Sequence, residues 1–243
     1  ERLRKQTGKI LPWGYLTGVR PSKIAYMMLK EQRSNEHIID EFVTNHGVLE
    51  KKAKLALQVA LTEKKILEHL DYKHGYSLYI GIPFCPTTCL YCSFTSYSIT
   101  AFQLKINDYM DALIKEMRYI AKVMSKRRLD TVYIGGGTPT SLEPMQLERL
   151  LSELEYLFDM KHIKEFTVEA GRPDSITLEK LKVLKKHGVQ RISINPQTMN
   201  DKTLAVIGRR HCVADVIEAF DMARTVGFNN INMDMILGLP GEG

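Results

Sequence analysis

What most constrains this chain is a recurrence of element types. From residue 78 onward, short apolar runs alternate five times with helical patterns. The runs at 78–84, 131–134, 165–170, 191–195 and 231–237 have the length and β-branched or aromatic content of buried strands. Met110, Leu113, Ile114, Met117, Ile120, Ala121 and Met124 share one helical face, as do Leu147, Leu150, Leu151, Leu154 and Leu157. Further helices are expected over 177–187 and 213–226. Nearly continuous apolar strands joined by helices imply an α/β fold with a parallel sheet and right-handed crossovers. An open doubly wound sheet and a partial barrel both satisfy that count.

The first 74 residues have another texture. Residues 21–70 read as helices, with Pro21 suited to a first turn and a second helix near 49–70. The expected division is a mostly helical segment over 1–74 and an α/β core over 75–243. Residues 1–70 carry 13 basic and 8 acidic side chains, so most of the net charge of +6 lies there. Such a segment could meet nucleic acid, a membrane surface or an acidic small molecule; a solvated helical surface is the plainer reading. No apolar run approaches the ~20 residues of a membrane span. The chain opens without Met and stops in a loop, and it is expected to be a fragment.

Polar or glycine-rich residues follow every strand, where barrel folds gather function. Cys85, Cys89 and Cys92 follow the first, Gly135 to Thr140 the second and Glu169 ends the third. Asn195 to Gln197 follow the fourth, and Asp234 lies in the fifth. Three cysteines within eight residues, with Cys212 far away, suggest metal chemistry in a reducing, cytoplasmic compartment. A structural zinc normally closes four ligands, and His74 stands eleven residues from Cys85. A cubane iron–sulfur cluster accepts one thiolate per iron, so three cysteines leave one iron open. On the residues alone, the glycines also read as a plain turn, and Glu169 and Asp234 as barrel-mouth ion pairs. Arg209 to His211 likewise read as a solvated basic turn, and Cys212 as a packing residue or idle thiol.

The stretch from Tyr79 to Cys92 resembles the radical S-adenosylmethionine (SAM) signature of oxygen-independent coproporphyrinogen III oxidases and their relatives. Gly135 to Thr140, Val168-Glu169, Pro196-Gln197, Arg209 and 234–240 match the same family in order and spacing. The wording of 11–21 and 85–97 looks most like its coproporphyrinogen dehydrogenase (HemZ) branch. The resemblance implies a partial (β/α)6 barrel, five strands of it here, with the C-terminal part beyond Gly243. It implies that Cys85, Cys89 and Cys92 hold a [4Fe–4S] cluster whose fourth iron binds SAM. Tyr79 and the backbone of Tyr91 would lie near the adenosyl portion, and Gly136 and Gly137 near its amino-acid end. Glu169 would bind its cationic end, while Gln197, Arg209 and Asp234 contact SAM. Thr138 would belong to a second SAM molecule.

The activity so implied is oxidative decarboxylation of coproporphyrinogen III propionates to vinyl groups, through a 5′-deoxyadenosyl radical. A porphyrinogen substrate and an electron donor such as flavodoxin or ferredoxin follow from it, with no membrane span and no nucleic-acid partner expected. One position departs from the pattern: Phe94 stands where characterised oxidases have an extra cysteine. That departure is shared with the HemW haem chaperones, so a haem-binding protein that retains the cluster is the alternative. A tRNA-modifying radical SAM enzyme is a third, favoured only by the basic N-terminal segment.

Overall fold

The computed structural model describes residues 6–68, 70 and 74–242. The chain divides into two compact units, Glu1–Asp71 and Tyr72–Gly243. The first carries helices α1 (Pro21–Lys30), α2 (Asn35–Thr44) and α3 (Glu50–Leu67). Pro21 opens α1 after an extended Arg20, as its fixed φ and missing N–H favour. Ser34 caps α2 by accepting from the His37 N–H at 3.2 Å. The helices close over Ala25, Leu29, Ile38 and Phe42, with Ala53, Ala56 and Ala60 as the small residues of α3. Trp13 packs against this core, and the Lys52 ammonium lies 5.4 Å from its ring centre.

The second unit is built on five parallel strands whose spatial order follows chain order. They are β1 (Gly75–Ile82), β2 (Arg128–Gly136), β3 (Glu165–Glu169), β4 (Arg191–Ser193) and β5 (Asn230–Asn232). Helices α4 (Ile106–Val123), α5 (Pro144–Leu157), α6 (Leu178–Lys186), α7 (Asp201–Val206) and α8 (Val213–Val226) lie between them in sequence. A doubly wound sheet reverses strand order at a switch point. Here no reversal occurs, and right-handed crossovers in unbroken order put the helices on one face. That is the arrangement of a partial barrel.

Register places the functional end. A bulge between Tyr76 and Ser77 adjusts the pairing, after which β1 and β2 run together to Ile82 opposite Gly136. The β3 and β4 ends follow, with Glu169 opposite Ser193. All strand exits therefore open on one side. The expected fifth strand, 231–237, is regular only over Asn230–Asn232; beyond it a single bridge links Gln197 to Met235. Helix α7 was not anticipated, and Asn200 starts it by accepting from the Lys202 and Thr203 N–H groups at 3.0 and 3.4 Å. Among the described residues no helix is long and apolar enough to cross a membrane.

The α5 leucines form the centre of the core, and Leu154 is fully buried. Leu154→Ala is expected to cost ~2–5 kcal/mol of stability in urea denaturation, as a buried cavity does. Met145→Ala, at the exposed start of the same helix, should stay within about 0.5 kcal/mol.

Candidate functional site

The loop that leaves β1 is closed at its base by two short pairings, Phe84 with Tyr97 and Cys85 with Ser98. The Tyr97 N–H donates to Pro83 O at 2.8 Å and the Ile99 N–H to Cys85 O at 2.9 Å. Inside it, the Cys92 N–H donates to Cys89 O at 3.0 Å, a tight turn that draws the last two cysteines together. The loop leans on the segment after α7, where the Leu90 N–H donates to Ile207 O at 3.1 Å. Spacing in the sequence is thus converted into a compact cysteine loop above the β1 exit.

The β2 exit packs directly against it. The Gly137 N–H donates to Ile82 O and the Thr138 N–H to Phe84 O, both at 2.7 Å. Gly136 has φ +111°, where a side chain is strained. A Cβ on Gly137 would stand 2.7 Å from Phe84 O and 3.0 Å from Cys85 Sγ, so only glycine fits that approach. Thr138 is buried, and its hydroxyl meets Cys85 Sγ at 3.4 Å. Burial pushes the Cys85 thiol up, while Thr138 and the Arg172 charge pull it down.

The remaining exits supply fixed polar groups. Burial holds the Glu169 carboxyl above the ordinary carboxylate range, opposed by the hydrogen bond donated by the Tyr133 hydroxyl. Tyr133 stacks on Tyr79 of the neighbouring strand, with ring centres 5.9 Å apart. Arg209 donates to Asn195 O at 2.7 Å and to the Tyr91 hydroxyl at 3.1 Å, while its buried Nε has no partner. The Asp234 carboxylate accepts from the Asn232 amide at 2.8 Å. Gln197 adopts φ +66°; its N–H donates to Asp234 O at 3.0 Å and its carbonyl accepts from Ile236 at 2.8 Å.

Two adjoining cavities result. One of about 190 Å³ is lined by Cys85, Cys89 and Cys92 together with Tyr91, Gly136, Gly137, Thr138, Glu169, Gln197, Arg209 and Asp234. Every site residue expected from the sequence lines it except Tyr79. Tyr79 lies in the second cavity, about 460 Å³, with Pro83, Tyr109 and Tyr133. Gly136, Glu169 and Phe94 border both. The sequence reading missed Arg172, Tyr133 and Thr87. Tyr133 was signalled by its place two residues before Gly135 in the same strand; Arg172 and Thr87 had no comparable signal. Cys212 stands at the N-cap of α8, where its backbone N–H donates to the Asp215 carboxylate at 2.7 Å.

Loops around this mouth are held from below by a buried lysine. Lys180 Nζ donates to Thr140 O at 2.7 Å and to Ser175 O at 3.1 Å, joining the β2 and β3 exits. His211 is also buried, and neither ring nitrogen has a partner.

Residues 79–243 match the Radical SAM superfamily. The chain is 42% identical over 245 residues to the oxygen-independent coproporphyrinogen-III oxidase-like protein HemZ of Bacillus subtilis, covering 99% of this chain and 49% of that protein. It is 43% identical over 167 residues to the heme chaperone HemW of the same organism, covering 68% of this chain and 43% of HemW. Among solved structures, coproporphyrinogen III oxidase (HemN) from Escherichia coli, a radical SAM enzyme, superposes with a TM-score of 0.61 at 32% identity. That match covers 67% of this chain and 37% of HemN. The chain spans about half the length, or less, of the relatives it matches.

A radical SAM family implies a [4Fe–4S] cluster and SAM. Among the described residues no three His, Cys, Asp or Glu side chains gather as they would around a single metal ion. A cubane takes each thiolate on a different iron, so its ligands need to share a cavity rather than a point. Three thiols on one cavity, a wall free of side chains at Gly136 and Gly137, and the unpartnered Arg209 Nε suit those two groups.

Burial, with the Arg209 charge adding to it, pushes the His211 imidazole down to about 4. Below pH ~6.5 an unfolded histidine gains a proton that the folded one refuses. Stability complete above that pH should therefore decline as pH falls from 6.5 toward 4. The decline should be shallower in His211→Gln when the two proteins' urea midpoints are followed against pH.

Proposed function

The chain belongs to the radical SAM superfamily, and from that premise we propose that its protein carries out the oxygen-independent oxidative decarboxylation of coproporphyrinogen III. Two propionates become vinyl groups and the product is protoporphyrinogen IX. The observation that carries this reading is the similarity to an oxidase-like protein along nearly the whole chain, joined to a cysteine cavity that opens beside a larger aromatic one. Cys85, Cys89 and Cys92 would hold the cluster, with SAM against Gly136, Gly137, Glu169, Gln197, Arg209 and Asp234. When bound, these cofactors supply hydrogen-atom abstraction by a 5′-deoxyadenosyl radical.

This chain's own residues would bind, orient and shield. The Glu169 carboxylate would meet a cation, and Arg209, anchored on Asn195 O, keeps a buried Nε–H that a ligand acceptor would satisfy. Tyr79, Tyr109 and Tyr133 line the adjoining cavity, and their aromatic faces suit a flat macrocycle. A second SAM molecule, facing the Thr138 segment, is part of the same proposal, as is delivery of electrons by a flavodoxin or ferredoxin.

One observation favours a second reading. Phe94 is 77% exposed and borders both cavities, at the position where characterised oxidases have their extra cysteine. Together with the similarity to HemW, it supports a haem-binding protein that keeps the cluster without turnover.

The full-length protein, reconstituted anaerobically and given SAM, reductant and coproporphyrinogen III, decides between them. Divinyl product and 5′-deoxyadenosine, both abolished in Cys89→Ala, are expected. SAM cleavage without vinyl product would point to another substrate. An intact cluster with stoichiometric haem binding and no cleavage would favour the chaperone.

Cation capture at Glu169 needs the ionised carboxylate. SAM affinity should therefore be full at high pH and fall as pH drops through the raised Glu169 value. Glu169→Gln should bind SAM roughly 10–100-fold more weakly without that step, as expected for loss of a charge-assisted hydrogen bond. Calorimetric titration of SAM into the reconstituted protein measures both.

A further inference from the structure

We infer that Arg172 is a positioning residue for the cysteine loop, whose buried guanidinium fixes Cys89 and raises the reduction potential of a cluster bound there. The inference rests on the proposed function only in taking Cys89 as a cluster ligand.

The guanidinium has five N–H donors, and the structure accounts for all of them. Nε donates to Asp174 Oδ1 at 3.0 Å, and Nη2 to Asp174 Oδ2 at 2.8 Å and Thr87 Oγ1 at 3.0 Å. Nη1 donates to Thr87 O at 3.2 Å and to Cys89 Sγ at 3.4 Å. Three of the five bonds go to the cysteine loop and two to the carboxylate that holds the guanidinium in place. The side chain is 4% exposed.

That saturation decides between two roles for a buried cation on a cavity wall. Capture of a substrate carboxylate needs free donors, and Arg172 has none. A guanidinium against a ligand sulfur acts on the cluster instead, because hydrogen bonds to sulfur and nearby positive charge set its potential. The surroundings are built to hold it there. Ser175 returns its N–H and its hydroxyl to Arg172 O at 2.9 and 2.7 Å, and the Ser175 hydroxyl meets that of Thr140 at 2.6 Å. The Thr87 hydroxyl, while accepting from Arg172, lies 3.5 Å from Gly208 O, next to Arg209. Arg172 thus links the β3 exit, the cysteine loop and the segment that carries Arg209.

Asp174 makes the effect asymmetric. With both side chains present the pair is neutral; without Arg172 a carboxylate remains beside the thiolates. Loss of the guanidinium therefore removes a hydrogen bond and leaves the cluster's surroundings one unit more negative.

The test is an anaerobic redox titration of the reconstituted full-length protein with dithionite, one electron per cluster, followed by electron paramagnetic resonance. Arg172→Gln is expected to lower the reduced-to-oxidised ratio at fixed potential at least tenfold, a shift of 59 mV or more for one electron. Arg172→Lys, which keeps the charge but not the fork, should fall between. The double variant Arg172→Gln with Asp174→Asn should recover part of the shift. An unchanged midpoint in Arg172→Gln with a full complement of iron would reduce Arg172 to a structural strap and overturn the inference, leaving the cluster reading intact. If Arg172→Gln does not retain iron, Asp174→Asn carries the test: its midpoint must rise, and no rise overturns the proposal. A wild-type protein that binds no cluster, or a Cys89→Ala variant that binds it undiminished, would instead refute the reading of the site.

Discussion

The functional end of the sheet depends on a single close approach, that of the Gly136–Gly137 backbone to the end of β1. Two hydrogen bonds continue the β1–β2 ladder past its regular limit, from Gly137 to Ile82 and from Thr138 to Phe84. They are possible because Gly137 carries no side chain toward Phe84 O and Cys85 Sγ. The continuation brings the Thr138 hydroxyl onto Cys85. It also gives the cysteine cavity a wall made of backbone, against which a ligand can lie without meeting side chains.

On this base the site sets opposite charges apart rather than pairing them all. Arg172 is closed on Asp174, but Arg209 and Glu169 make their hydrogen bonds to neutral partners, a carbonyl and hydroxyls. A charge oriented by neutral groups remains available to a charged ligand, whereas an ion pair must first be broken. Desolvation works against that charge at Glu169: burial favours the protonated carboxyl, so a cationic ligand there competes with a proton.

The sequence made the strand exits legible because loop chemistry and apolar runs alternate so regularly. The five strands, the helical N-terminal segment and eleven residues lining one cavity all followed from that pattern or from the resemblance it supported. Burial of long polar side chains was not legible. Arg172 and Lys180 sit in stretches rich in charge, and only the folding of three loops over one another withdraws them from solvent. The end of β5 was overcalled for a related reason. Ile236 and Met235 satisfy a strand pattern, but their partner is the irregular Gln197 segment rather than a fifth ladder.

Gln197 has a consequence for how this position can change over generations. Its left-handed backbone bridges to Met235 and costs an ordinary L-residue roughly 1–2 kcal/mol, a cost that glycine would relieve. The backbone conformation by itself therefore favours glycine here, since the bridge needs no side chain. Retention of an amide at such a site has to be maintained against that drift, by selection acting on whatever the amide meets in the cavity. A stability-guided redesign of this chain would reach for glycine at 197 early, and would erase part of the site in doing so.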